Sequence, residues 1–176
     1  MRRIVLEEEQ IARRVRALGT EITEAYPEGD LLVLGLLKGS FIFLSDLVRE
    51  IHRPLQVDFV VAASYGDAME SSGTVRLVYD PETELSGKHI LLVEDIVDTG
   101  LTLSYLREQL RSRHPASVKV AALLHKPARM QREVAIDFLG FTIDDVFVVG
   151  YGLDYAERYR NLPFLGVLDP SGISAG

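Results

Sequence analysis

Apolar positions recur along this chain in two rhythms that take turns. Ile11, Val15, Leu18 and Ile22 are spaced by four, three and four, which is one face of an amphipathic helix over residues 7 to about 26. Pro27-Glu28-Gly29-Asp30 breaks it. The unbroken run Leu31-Leu32-Val33-Leu34-Gly35-Leu36-Leu37 predicts a buried strand, with Lys38-Gly39-Ser40 as the turn after it. Helical spacing returns at Phe41, Leu44, Val48 and Ile51, and Val57, Phe59 and Val61 then alternate as a strand. Residues 75–79 predict another strand, separated from it by the polar stretch 64–74. A strand at 89–93, a helix from 101 to about 113 and a strand at 118–124 follow. Strand and helix alternate as in an α/β fold, a central mostly parallel sheet flanked by helices. Beyond Lys126 the apolar runs shorten to 138–141, 146–149 and 164–168. They predict a small cap, or hood, over about 126–170 beside a core sheet over about 30–125, the whole of 1–176 being one domain.

Composition narrows the field. An apolar share of 47% and a charged share of 26% are those of an ordinary soluble globular protein. The longest clean apolar run, 31–37, falls far short of the ~20 residues of a membrane span. Glu7-Glu8-Glu9 cuts off Ile4-Val5-Leu6 too early for a signal peptide. A cytoplasmic protein with no membrane partner is therefore expected. The lack of cysteine excludes disulfides, thiolate catalysis and cysteine-ligated zinc. A net charge of −7 argues against gripping a nucleic-acid backbone. It still allows a small polyanionic substrate bridged to carboxylates by a divalent metal.

Most of the candidate chemistry lies in Leu91-Leu92-Val93-Glu94-Asp95-Ile96-Val97-Asp98-Thr99-Gly100-Leu101-Thr102-Leu103. An apolar run ends at the carboxylates Glu94 and Asp95, and Asp98 precedes a Thr-Gly-x-Thr turn that opens a helix. Unpaired N–H groups and the helix dipole favour a phosphate at such a turn. The acidic pair suits a diol or a magnesium ion instead, so one turn offers both halves of a site for a phosphorylated sugar. The plainer alternative is that Asp98 or Thr99 caps the helix and Glu94-Asp95 merely ends the strand. Ligands of open α/β sheets bind beyond the carboxyl ends of the strands, which puts Lys38-Gly39, residues 94–102 and Lys126 on one rim.

Other segments say less by themselves. Gly39 could bring its N–H to a pyrophosphate, or Lys38-Gly39-Ser40 could be an ordinary turn; the spacing is wrong for a Walker loop. Gly150-Tyr151-Gly152 has Tyr155 where a dinucleotide fingerprint needs its third glycine, which rejects that site. Ser64-Tyr65-Gly66 opens a polar loop long enough for a flexible lid, or for a simple surface connection. Lys126, fixed at a strand end with Pro127 after it, is placed to hold a carbonyl oxygen, although most lysines are simply solvated; His125 is read as structural. Phe147 could stack on a planar base beside the Val148 backbone, or pack in the core. Asp154 lies seven positions beyond Phe147, and Arg160 six beyond Asp154.

Taken in order, Leu-Lys-Gly-Ser at 37–40, Ser-Tyr-Gly at 64–66, Val-Glu-Asp-Ile-Val-Asp-Thr-Gly at 93–100, Lys126 and Val-Val-Gly-Tyr-Gly-Leu-Asp-Tyr at 148–155 resemble the hypoxanthine-guanine phosphoribosyltransferases. The resemblance extends from about Leu31 to Asp169. It implies the type I phosphoribosyltransferase fold and transfer of 5-phosphoribosyl from phosphoribosyl pyrophosphate to N9 of hypoxanthine or guanine. The products would be IMP or GMP and pyrophosphate, with Mg2+ as cofactor and a homo-oligomer, dimer or tetramer, as the assembly. By resemblance, Glu94 and Asp95 would face the ribose hydroxyls directly or through magnesium, and Asp98 would be the acid/base at N7. Thr99, Gly100 and Thr102, with the intervening amides, would hold the 5′-phosphate; Leu101 replaces a residue that is often polar, which a backbone cradle tolerates. Lys126 would bind the 6-oxo group, Phe147 would stack on the ring and the Val148 backbone would meet the base edge. Asp154 would hold a second magnesium, Lys38, Gly39, Arg129 and Arg160 would contact pyrophosphate, and Ser64 and Tyr65 would sit on the lid. A xanthine-preferring enzyme and an RNA-binding regulator on the same fold are the alternatives, the second disfavoured by the acidic charge.

Overall fold

The computed structural model describes residues 3–65 and 74–168. Its elements are β1 (Arg3–Leu6), α1 (Glu8–Ala25), β2 (Leu31–Leu36), α2 (Phe41–Glu50), β3 (Gln56–Tyr65), β4 (Thr74–Tyr79), β5 (His89–Val97), α3 (Leu101–Arg111), β6 (Ser117–His125), β7 (Phe138–Thr142), β8 (Val148–Val149) and β9 (Leu165–Val167). Six strands form the main sheet in the order β4-β3-β2-β5-β6-β7. All its neighbours run parallel except β3 and β4, which are antiparallel.

The apolar runs read as buried strands are covered on both faces. Leu31 and Val33 of β2 and Leu91 and Val93 of β5 pack into one core with Ile11, Val15, Leu18 and Ile22 of α1 and with Phe43, Leu44 and Leu47 of α2. Their alternates, Leu32, Leu34, Ile90 and Leu92, pack into a second core with Leu103, Leu106 and Leu110 of α3. That is why neither strand shows the alternation of a half-exposed one. At its start α1 is held by a reciprocal cap in which the Glu7 N–H donates to Gln10 Oε1 at 2.8 Å.

Three expectations change. β5 does not end at Val93 but runs through Val97, since Glu94 to Val97 continue the ladder with β6. The run 138–141, expected in the cap, instead lies in β7, which pairs parallel with β6, Phe138 entering the first core. The cap is a three-stranded sheet in the order β1-β9-β8, so the amino-terminal Ile4-Val5-Leu6 stretch belongs to it. Short strands of this kind leave no periodicity to read. The alternation at 57–61 does form part of β3, with Val57 and Phe59 exposed and Val60, next along the strand, fully buried.

Candidate active site

The carboxyl ends of β2, β5 and β6 meet on one rim. Lys126 follows β6 and its N–H donates to Val97 O at 3.0 Å, bringing it beside the end of β5. The turn after β2 touches the same place, because a β-carbon on Gly39 would collide with the Asp95 carboxylate. Glycine at 39 is thus a matter of close approach rather than of backbone freedom.

Two adjoining cavities open there. The first, of about 290 Å³, is lined by Leu37, Gly39, Glu94, Asp95, Asp98, Thr99, Gly100 and Thr102 among others. The second, of about 380 Å³, is lined by Lys126, Arg129, Phe147, Val148, Leu153 and Asp154. Asp95, Ile96 and Asp98 line both.

At the floor of the first cavity Glu94 is buried and Asp95 is half-buried. Burial, reinforced by the charge of Asp95, pushes the Glu94 carboxyl well above the usual carboxylate range. On the far wall α3 begins at Gly100, whose φ of +77° is left-handed and whose carbonyl already accepts the Ser104 N–H at 3.0 Å. Thr102 and Leu103, in the first turn, line the cavity, and first-turn N–H groups have no intrahelical acceptor. A helix start and a pair of carboxylates thus line the same cavity, and a helix start of this kind favours an anion.

The second cavity has a different character. Lys126 is 8% exposed, unusually low for a lysine, with its Nζ 3.9 Å from Asp145 Oδ1. Phe147 is 44% exposed and braced edge-on by Tyr155, with ring centroids 5.8 Å apart. Core packing of Phe147 is therefore ruled out, and its ring is open to a flat ligand. Asp98, between the cavities, has Oδ1 at 2.9 Å from Arg129 Nε. That pair is electrostatic only, for the same oxygen is buried without an aligned donor among the described residues.

Beyond Asp154 the chain folds back on the Lys38 turn. Gly152 abuts Gly39 O, so that its own β-carbon would clash there. Arg160 donates to Gly152 O at 2.8 Å and pairs with Asp154 Oδ1 at 2.9 Å. Glu157 lies 3.2 Å from Lys38 Nζ and 3.4 Å from Arg160 Nη2. Tyr151, beside Gly152, ties this loop to α2 by donating to Asp46 Oδ2 at 2.5 Å.

Most of the residues singled out from the sequence are thus gathered in or beside two cavities. Arg129, grouped with pyrophosphate by resemblance, lies in the second cavity against Asp98 rather than with Lys38 and Arg160. Leu101 is half-buried in the first turn of α3 and does not line either cavity. Ser64 and Tyr65 end β3, but their side chains and residues 66–73 of the expected lid lie outside the described residues. His125 has its Nε2 buried without a partner among the described residues. Glu157 and Asp145, which pair with the site's basic groups, escaped the sequence reading because nothing in their spacing marks them.

Comparison with known proteins agrees with this geometry. The phosphoribosyl transferase domain matches residues 2–156. The chain belongs to that family. It is 47% identical over 169 residues to a Bacillus subtilis protein named hypoxanthine-guanine phosphoribosyltransferase, covering 96% of this chain and 94% of that one. It is 46% identical over 165 residues to the Escherichia coli K12 protein named hypoxanthine phosphoribosyltransferase, covering 93% of each. A crystal structure of a hypoxanthine phosphoribosyltransferase from Staphylococcus aureus superposes with a TM-score of 0.94 at 40% identity, covering 98% of this chain and 94% of that one.

Glu94→Gln should stabilise the ligand-free protein. Because the folded-state carboxyl titrates above its unfolded value, its ionisation costs stability increasingly as pH rises from the usual carboxylate range through the folded-state pKa. Melting temperature should rise by about 2–6 °C at pH 8, with the gain shrinking toward pH 4. Equal gains at both ends of that range would remove burial of charge as the cause.

Proposed function

We propose that this protein transfers 5-phosphoribosyl from phosphoribosyl pyrophosphate to N9 of hypoxanthine or guanine, giving IMP or GMP and pyrophosphate. The observation that carries this reading is the pair of cavities joined at Asp98: an anion cradle on one side, an open aromatic face with a buried lysine on the other. Relatives named for the same reaction support it.

On this reading the 5′-phosphate sits on the first-turn N–H groups of α3, with Thr99 and Thr102 hydroxyls beside them. Asp95 and Glu94 take the ribose hydroxyls. The purine stacks on Phe147, its 6-oxo group accepts from Lys126 and its edge meets the Val148 backbone. An ammonium has donors but no acceptor, so it favours a 6-oxo over a 6-amino purine. As the C1′–O bond to pyrophosphate breaks, N9 bonds to C1′ and the proton on N7 passes to the Asp98 carboxylate. Lys38 and Arg160 oppose the charge of the departing pyrophosphate.

Magnesium fits the donor set. Glu94 and Asp95 flank one cavity and Asp154 the other, all hard oxygen ligands. Magnesium ordinarily takes one or two protein carboxylates, with substrate oxygens and water as its other ligands. Bound there, it would supply positive charge beside the diphosphate. Ionisation of buried Glu94 would cost least beside such a cation.

Homo-oligomerisation is part of the proposal, as dimer or tetramer. Val57 and Phe59 of β3 lie exposed on the sheet face that also carries α2, since a β-carbon on Gly35 would contact both Leu44 and Phe59. Phe41 and Tyr79 are exposed as well. Surface of this kind is typical of an interface. A cytoplasmic setting goes with this reading; no helix among the described residues is long and apolar enough to cross a membrane.

The reading is tested by nucleotide formation from phosphoribosyl pyrophosphate with a panel of hypoxanthine, guanine, xanthine and adenine. Hypoxanthine or guanine should be used best, and excess chelator should abolish turnover. Adenine as the best base, or full activity in chelator, would contradict it. A second outcome concerns Asp98. Asp98→Asn keeps size and hydrogen bonding but cannot take the N7 proton, so kcat should fall by ~10²–10⁴-fold, with little change in affinity for phosphoribosyl pyrophosphate. An unchanged kcat with lost sugar-phosphate affinity would make Asp98 a structural part of the phosphate loop instead.

A further inference from the structure

The turn after Asp154 has an unusual build. Tyr155 and Arg158 exchange both backbone hydrogen bonds, at 3.1 and 3.0 Å, leaving only Ala156 and Glu157 between them. Those two residues have φ of +51° and +61°. Two-residue turns that are left-handed at both positions ordinarily call for Asn-Gly, because a β-carbon is disfavoured there. Backbone held against its preference in this way tends to mark a place where a side chain is needed.

The side chain so placed is the Glu157 carboxylate. Its Oε1 lies 3.2 Å from Lys38 Nζ and its Oε2 lies 3.4 Å from Arg160 Nη2. The Glu157 N–H donates to Asp154 Oδ2 at 2.8 Å, which anchors the turn. One anion therefore spans two cations that approach it from different parts of the chain. The Glu157 and Lys38 side chains are 66% and 69% exposed, so a dissolved ligand can reach the pair.

We propose that Glu157 is the built-in counter-anion of the pyrophosphate subsite: its carboxylate holds Lys38 and Arg160 while no ligand is present and gives them up to pyrophosphate oxygens. Glu157 thereby sets how tightly pyrophosphate is held, whether free or within phosphoribosyl pyrophosphate. The proposal rests on the assignment of Lys38 and Arg160 to pyrophosphate made above. Exposed ion pairs are individually weak, so the exchange is readily reversible. That weakness suits a subsite which must release one pyrophosphate in every turnover.

The test is calorimetric binding of pyrophosphate, with magnesium present, to the unmodified protein and to Glu157→Gln, Glu157→Asp and Lys38→Ala. Glu157→Gln removes the competing anion and should tighten binding by about 3- to 10-fold, the scale of two exposed pairs. Glu157→Asp keeps the charge but is one methylene too short to span both cations, and should fall between. Binding to Glu157→Gln that is unchanged or weaker overturns the proposal. So does a Glu157→Asp protein that binds as the unmodified one does while Glu157→Gln tightens, since charge alone would then be the cause. If Lys38→Ala weakens binding but Glu157→Gln does not alter it, only the counter-anion role falls. If Lys38→Ala binds as the unmodified protein does, the assignment of Lys38 to pyrophosphate falls, and the proposal with it.

Discussion

Everything at the rim depends on β5 carrying charge past the end of its apolar run. Were the strand to stop at Val93, Glu94 would be solvated and the chain would turn early. Instead the ladder with β6 continues to Val97, which buries one carboxylate and sets Asp95 against the backbone of Gly39. Burying a carboxylate without a cation is costly, and the raised pKa of Glu94 is the form that cost takes. The second core beneath β5 and α3 keeps the strand end and the helix start rigid relative to each other. Stability is given up at the site and recovered in the two cores, a common exchange in enzymes.

Charge is balanced locally on both sides of that strand end. Asp98 faces Arg129, Lys126 faces Asp145, and Arg160 is shared between Asp154 and Glu157. A net-acidic protein can therefore present basic groups to a polyanion without a broad basic face. These pairs are mostly part-exposed, so their ordering role outweighs their contribution to stability.

The parallel core was legible because strands buried on both faces and helices of strict period leave strong patterns, as 31–37 and the α1 series do. The chemistry of 94–102 was legible for another reason: backbone cradles need glycine and small hydroxyl residues in fixed order. The cap was not. β1, β8 and β9 are two to four residues long, too short for any period, and β7 resembles them in sequence while pairing with the main sheet. The alternation at Val57 and Phe59 marked β3, but alternation shows only that two faces differ, not which one is covered. Glu157 was invisible because its left-handed φ is carried by residues with no turn signature.

The central claim is that one ligand spans the two cavities across Asp98. A crystal structure with GMP bound tests it most directly. The phosphate should lie within hydrogen-bond distance of the Thr102 and Leu103 N–H groups, with the purine against Phe147 and its 6-oxo group on Lys126. A phosphate bound away from the start of α3, with the base not touching Phe147, would contradict it.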